Sequence, residues 1–205
     1  CRVTSAALNN AFPLTSTLTL PFSFRDEAHI RGVVDGPIGA EIRASFVSRD
    51  LVALCFYDGG ARSFYNVRRP IEAPSDMRGL KIRTPRSDIL INAVNAMGAN
   101  ATPLPFGEVF TGLQTHLIDG AENNWATYQS TRQYEVAPFW SDTEHAYSPD
   151  ALLVSKRSLD AMSLSDRELV MNKALESVQV MRSLWDAKQQ SARDTMRAFA
   201  AAAVR

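Results

Sequence analysis

This sequence predicts an α/β fold, on three observations. Short apolar stretches such as Leu51–Tyr57 and Leu80–Arg83 alternate with stretches of helical periodicity. Gly and Pro, ten of each, punctuate the alternation. The last periodic stretch, opening near Ser165, is longer than a small lobe and is expected to brace two of them.

The elements follow in order. Phe24 to Arg49 reads as two helical pieces split by Asp35-Gly-Pro37. Leu51 to Asp58 reads as a strand, broken by Gly59-Gly60, and Ser63 to Arg68 as a second extended piece. Leu80 to Arg83 is a third strand, stopped by Pro85. Ser87 fits an N-cap, Ile89, Leu90, Ala93, Val94 and Met97 form a helical stripe, and Gly98 fits the left-handed position after it. Ala101–Leu104 is a short strand, 107–117 a helix, Gly120–Glu122 a strand, 128–136 a helix and Ala151–Ser155 a strand. Ser165-Asp-Arg-Glu168 reads as a capping box. Ala174, Leu175, Val178, Met181 and Trp185 follow it at helical spacing, toward about residue 200.

A chain of 205 residues makes one large domain or two small lobes. At 45% hydrophobic and 21% charged it has an ordinary globular composition. Basic and acidic residues number 22 each, which argues against nucleic acid as the partner, since phosphate binding needs a basic surplus. The longest apolar runs, Leu51–Tyr57 and Ala198–Val204, are too short to span a bilayer. Among the basic residues 18 are Arg and 4 are Lys. A GC-rich genome accounts for that skew, and so does a need for planar forks that bind carboxylates. Cys55 reads as a core residue of its strand. His29, His116 and His145 are scattered, with no metal-ligand spacing, and read as surface or structural. No nucleophile elbow, dinucleotide fingerprint or P-loop is present. These features favour a binding protein over an enzyme, with no cofactor and no metal.

The polar residues supply a candidate site. Strand alternation places Arg83 opposite Ile82, at the carboxyl end of its strand, where open α/β sheets bind ligands. The helix beginning at Ser87 offers an N-terminus that favours an anion. Arg83 is therefore a candidate carboxylate clamp; the alternative is a surface arginine paired with an acid. Asn123-Asn124-Trp125 has the same address after a strand, and two amides suit hydroxyl groups while an indole covers a sugar face. The alternative there is an Asn-rich turn and a core tryptophan. Phe106 and Arg62, taken alone, read as a core aromatic and a loop charge.

Longer motifs are more specific. Met77-Arg-Gly-Leu-Lys-Ile-Arg-Thr-Pro85 resembles a segment of the solute-binding proteins of tripartite ATP-independent periplasmic (TRAP) transporters, the DctP family. So do Asn95 to Phe110, Leu113-Gln-Thr115 and Ile118-Asp-Gly-Ala-Glu-Asn-Asn-Trp125. Upstream, Leu20-Pro-Phe22, Phe24-Arg-Asp-Glu-Ala-His29 and Gly59-Gly-Ala-Arg-Ser-Phe64 match in the same order. The resemblance implies a two-lobe, periplasmic-binding-protein-like (class II) fold with a long bracing C-terminal helix. Residues 1–60 and 150–175 would form the remainder of lobe I, and 61–149 with 176–205 lobe II and the brace. It implies a receptor that binds a small organic acid in the periplasm and hands it to the TRAP membrane permease, without itself spanning the membrane.

By the same resemblance Arg83 is the main clamp, Arg62 assists at the acid end, Phe106 packs on the ligand and Asn123 hydrogen-bonds it. Asn124 and Trp125 belong to a variant that resembles the branch for sugar acids such as glucuronate and galacturonate. Pro85, Ser87 and His145 are further candidates. A dicarboxylate or keto acid, or a truncated fragment that binds nothing, are the other expectations. Ala126 stands where the family usually has Pro, and Pro138-Phe139 where it has a Lys-Tyr-like pair. The opening Cys1-Arg-Val-Thr-Ser resembles a stretch well inside lobe I, so an N-terminal truncation with an incomplete first lobe is expected, and no lipid on Cys1.

Overall fold

The structure, a computed structural model, describes residues 1–203, with side chains to Phe199. Its strands are β1 (Arg2–Thr4), β2 (Leu51–Tyr57), β3 (Ala61–Asn66), β4 (Lys81–Thr84), β5 (Asn100–Pro103), β6 (Gly120–Asn123), β7 (Phe139–Tyr147) and β8 (Asp150–Ser155). Its helices are α1 (Ser5–Leu8), α2 (Glu27–Asp35), α3 (Pro37–Ser45), α4 (Asp88–Ala96), α5 (Val109–Gln114), α6 (Trp125–Ser130), α7 (Lys156–Asp160) and α8 (Leu164–Ala203).

Two sheets form. One is three-stranded, in the order β1-β8-β2, all antiparallel. The other is five-stranded, in the order β5-β4-β6-β3-β7. In it β4 runs parallel to β5 and β6, and β3 runs antiparallel to β6 and β7. Alternation along β3 sends Phe64 to one face and Tyr65 to the other. Phe64 joins Met77, Leu80, Ile82 and Val94; Tyr65 joins Val109, Leu113, Ile118 and Tyr128. The three-stranded sheet has its own core, where Phe56 and Leu153 meet Ile30, Val34, Ile42 and Phe46.

Helix α8 touches both sheets. Ala174 and Val178 pack on Cys55 beneath the three-stranded sheet, and Met196 enters the Tyr65 core. Those contacts lie about 33 Å apart along the helix. The chain also crosses between sheets at 58–60 and 148–149. There Gly59 lies so close to the Ser148 carbonyl that a Cβ would sit 1.9 Å from its oxygen, so only glycine fits. No helix among the described residues is long and apolar enough to cross a membrane.

Several expectations need correction. The 128–136 helix begins at Trp125, because the Asn124 side chain accepts from Thr127 N at 2.8 Å and caps it; it ends at Ser130, and 133–135 is a separate 3-10 turn. The 107–117 helix is a 3-10 turn at 106–108 followed by α5, which stops at Gln114. The cap of α8 is Ser163, whose Oγ accepts from Asp166 N at 3.1 Å, two residues before the predicted box. Strand β7 is not among the elements the sequence predicts. The predicted run to Val204 and the 176–205 segment end on residues outside those described. Gly98 does take the left-handed conformation after α4, at φ 91°, and the Ser87 side chain caps α4.

An ionic knot ties α2, the end of β2 and α8. Asp58 accepts from Arg31 at 2.5 and 2.8 Å and from Arg182 Nε at 3.4 Å. Arg31 also reaches Asp186, and Arg182 holds Asp35 with two bonds. Glu27, Asp58 and Asp186 bring oxygens within 4.8 Å of one another. Burial first, and then Asp58, raise the Glu27 carboxyl to about 7. An acid raised on folding favours the folded state while protonated. Stability from this group is therefore present below the ordinary carboxylate range and lost as pH rises through about 7. Between pH 5 and 8 the melting temperature of the parent should therefore drop relative to that of Glu27→Gln, His145 acting the other way equally in both; a difference that does not change with pH would remove Glu27 as its source.

Candidate functional site

A cavity of about 560 Å³ opens between the two sheets. Arg83 sits at the carboxyl end of β4, as strand alternation requires, and is 5% exposed. Its Nε donates to the Leu104 carbonyl at 2.8 Å. Among the described residues its two terminal nitrogens have no hydrogen-bond partner, and they are not sealed from the cavity. No carboxylate pairs with it there. Burial, with the Arg62 charge against it, holds the Arg83 guanidinium below its ordinary range, while Glu122 partly offsets this. An almost buried cation without a counter-ion is unstable alone and favours an anion beside it.

Arg62, on β3, lines the same cavity and is equally buried. The family resemblance predicts for it a second hand on the ligand's acid end. The structure instead engages its fork with Glu122 of β6: Nε and Nη2 both donate to that carboxylate, and Nη2 to the Glu122 carbonyl at 3.0 Å. Only Nη1 is without a partner among the described residues. Adjacent antiparallel strands place this pair, since Ser63 and Asn123 stand opposite each other.

Asn123 lines the cavity with its Nδ2 unpaired among the described residues, its Oδ1 accepting from Asn124 N at 2.9 Å. Asn124 also lines it, but its amide is taken: Oδ1 caps α6, and Nδ2 donates to the Gly59 carbonyl at 2.8 Å. It is a joint at the crossing between sheets rather than a free reader of hydroxyls. Phe106 turns a half-exposed ring to the cavity from the 3-10 turn after Pro105.

Trp125 does not line the cavity. It stacks on Trp140 at 3.9 Å between centroids and joins the Tyr65–Tyr128 cluster. The first residue of a capped helix turns its side chain onto the neighbouring sheet, so the indole became wall rather than lining. The aromatic that does line the cavity from another element is Trp185 of α8. The Arg2 guanidinium lies 5.6 Å from its ring and bonds Asp150 at 2.6 Å, closing that side.

Of the further candidates, Pro85 is at the rim. His145 is stacked on Phe64 at 4.0 Å behind Glu122, and burial pushes it down to about 4, so it is neutral. Ser87 bridges outside the cavity. Its Oγ accepts from Asn9 Nδ2 at 2.8 Å; Asn10 Nδ2 donates to Asp88 at 3.2 Å, and Asp88 N donates back to Asn10 Oδ1 at 3.3 Å. These bonds join α1, beside the three-stranded sheet, to the start of α4, beside the five-stranded one.

Comparison with known proteins gives this geometry a context. The profile of bacterial extracellular solute-binding protein, family 7 (DctP), matches residues 1–205. The 2,3-diketo-L-gulonate-binding periplasmic protein YiaO of Escherichia coli is 37% identical over 185 residues, 90% of this chain and 56% of that protein. A TRAP periplasmic solute-binding protein from Xanthobacter autotrophicus, solved with bound β-D-galacturonate, superposes with a TM-score of 0.93 at 48% identity, covering 96% of this chain and 65% of that one. One from Pseudomonas putida, solved with bound D-glucuronate, gives 0.93 at 34% identity, covering 97% and 65%. The chain spans about half the length of the curated relatives it matches.

Proposed function

This chain belongs to family 7 of the bacterial extracellular solute-binding proteins, the DctP family, and on that premise we propose that it is a TRAP solute receptor for a sugar acid of the glucuronate and galacturonate kind. The observation that carries the reading is Arg83: a nearly buried guanidinium with two nitrogens that lack a partner among the described residues and face a cavity of about 560 Å³. A carboxylate fits that fork in a bidentate pair. The free amide of Asn123 then reads a ring hydroxyl, and Phe106 and Trp185 cover apolar ring faces. Arg62 contributes one nitrogen at most, and Asn124 and Trp125 hold the wall on which the others stand.

The two sheets would correspond to two lobes, with residues 58–60, 148–149 and α8 as the connections between them. Closing the lobes removes water from the Arg83 contact and strengthens it. No bond is broken, so the site needs no nucleophile, and catalysis is not part of the proposal. Residence in the periplasm and delivery to a membrane permease go with this reading of the family.

Calorimetry and thermal melts with galacturonate, glucuronate, gluconate, succinate, pyruvate and glucose test it. An acid at 100 times its Kd should stabilise the protein by about 2.7 kcal/mol, several degrees of melting temperature. Shifts with the uronates and none with glucose are expected. Shifts with succinate or pyruvate alone would keep the receptor and discard the sugar acid, and no shift with any acid would discard the receptor.

A further inference from the structure

The cavity holds two nearly buried guanidinium groups of different standing. Arg62 is answered in full by Glu122, a carboxylate 1% exposed whose oxygens take two of its nitrogens. Arg83 hydrogen-bonds a carbonyl alone among the described residues, and the Glu122 charge, engaged by Arg62, reaches it only through space. Among the described residues two other titratable groups beside Arg62 and Arg83 face Glu122, and both are neutral: His145, with Nε2 3.9 Å away, pushed down by burial, and Tyr65, whose hydroxyl burial pushes up. The buried wall therefore carries one net positive charge, from two cations and one anion. Across the cavity Arg2 and Asp150 cancel each other. Arg86, at the rim, is exposed, and water screens it.

A ligand with one carboxylate brings this wall to neutrality. A ligand with two would leave a second anion in a cavity whose other buried cation is already taken. We propose that Glu122 is a specificity-determining residue: by cancelling Arg62 it sets the site to select acids with one negative charge over acids with two. The assignment of sugar acids as ligands rests on the function proposed above; the charge balance rests on the wall itself.

Galacturonate and galactarate, the same skeleton with one and two carboxylates, are the probes. The unaltered protein should prefer galacturonate. In Glu122→Gln, an isosteric change that frees the Arg62 charge, the galactarate-to-galacturonate affinity ratio should rise about tenfold or more, the scale of one charge acting at an effective dielectric of about 20. In Arg62→Gln/Glu122→Gln the net charge is restored, and the ratio should return to that of the unaltered protein. A single variant whose ratio stays within about twofold of the parent overturns the proposal, as does a double variant that keeps the raised ratio.

Failure of the sugar-acid reading would look different, because the unaltered protein would bind neither acid. Sulfate, compared with chloride at equal ionic strength, then decides. Glu122→Gln should gain a sulfate-dependent rise in melting temperature that the double variant lacks, and no such gain overturns the proposal. If Glu122→Gln is unfolded by its unpaired arginine, recovery of its melt by sulfate or galactarate supports the proposal. A chain that neither anion recovers, while the double variant folds, counts against it.

Discussion

Replacing Arg83 with alanine is expected to weaken sugar-acid binding by about two to three orders of magnitude while the protein still folds. A fork on a carboxylate in a dry site, once removed, leaves the ligand's charge buried and unpaired, which costs about 3–5 kcal/mol, and every 1.4 kcal/mol is about tenfold. The fold should survive because Arg83 has no carboxylate partner to orphan among the described residues; the group it leaves is the Leu104 carbonyl. Losing an uncompensated buried cation even favours the empty protein. Arg83→Lys should fall between, since an ammonium keeps the charge but not the two parallel bonds. Isothermal calorimetry on both variants, with melts alongside, measures this. Binding by Arg83→Ala within about threefold of the parent would remove Arg83 as the clamp.

The largest stability loss is expected at Asp58. Its carboxylate is nearly buried and receives Arg31 twice and Arg182 once. Asp58→Ala leaves two guanidinium groups facing a vacated anion site, and breaking such a buried arrangement costs about 3–5 kcal/mol. The outcome should lie toward the lower end. Arg31 keeps Asp186, Arg182 keeps Asp35, and the Glu27 carboxyl loses its strongest like-charge neighbour. For a chain of this size that is a fall of roughly 6–15 °C in melting temperature. The Glu27-dependent slope between pH 5 and 8 should flatten in the same variant. A melt within about 2 °C of the parent would show the knot to be solvated and weak.

What the sequence carried and what it lacked divide along physical lines. Arg83, its strand and the Ser87 cap are local: each follows from alternation or from a side chain bonding its own helix end. The Gly59-Gly60 break and Gly98 are local too. Strand β7 escaped because its register breaks midway: Ser141 stands opposite Phe64 and Ala146 opposite Arg62, so four residues of β7 face one of β3, and Glu144 between them takes a left-handed φ of 41°. No period stands out from that pattern.

Glu122 was visible in its motif yet read as one acid among many. Its role depends on β3 lying antiparallel beside β6, a pairing between residues 60 apart. Trp185 looked like one more residue in a helical stripe, and only the path of α8 past the three-stranded sheet brings it to the cavity. Trp125 shows the reverse: correctly placed after a strand, it was turned inward by a cap that begins the helix three residues earlier than periodicity suggests.

The bridge from Asn9 and Asn10 to Ser87 and Asp88 bears on timing rather than on strength. Its three bonds lie outside the cavity lining, so in the proposed receptor they would form whenever the halves meet, with or without an acid between them. The Ser87 hydroxyl also caps α4, so the joint is built from a group already fixed in place. Such a joint would raise the share of empty molecules in the shut arrangement of the proposed receptor. In the proposed receptor it would slow entry, because shut molecules admit nothing, and slow escape by the same device. Residence time would thus be set at a doorpost that touches no solute, and it could drift between relatives without altering which solute is chosen.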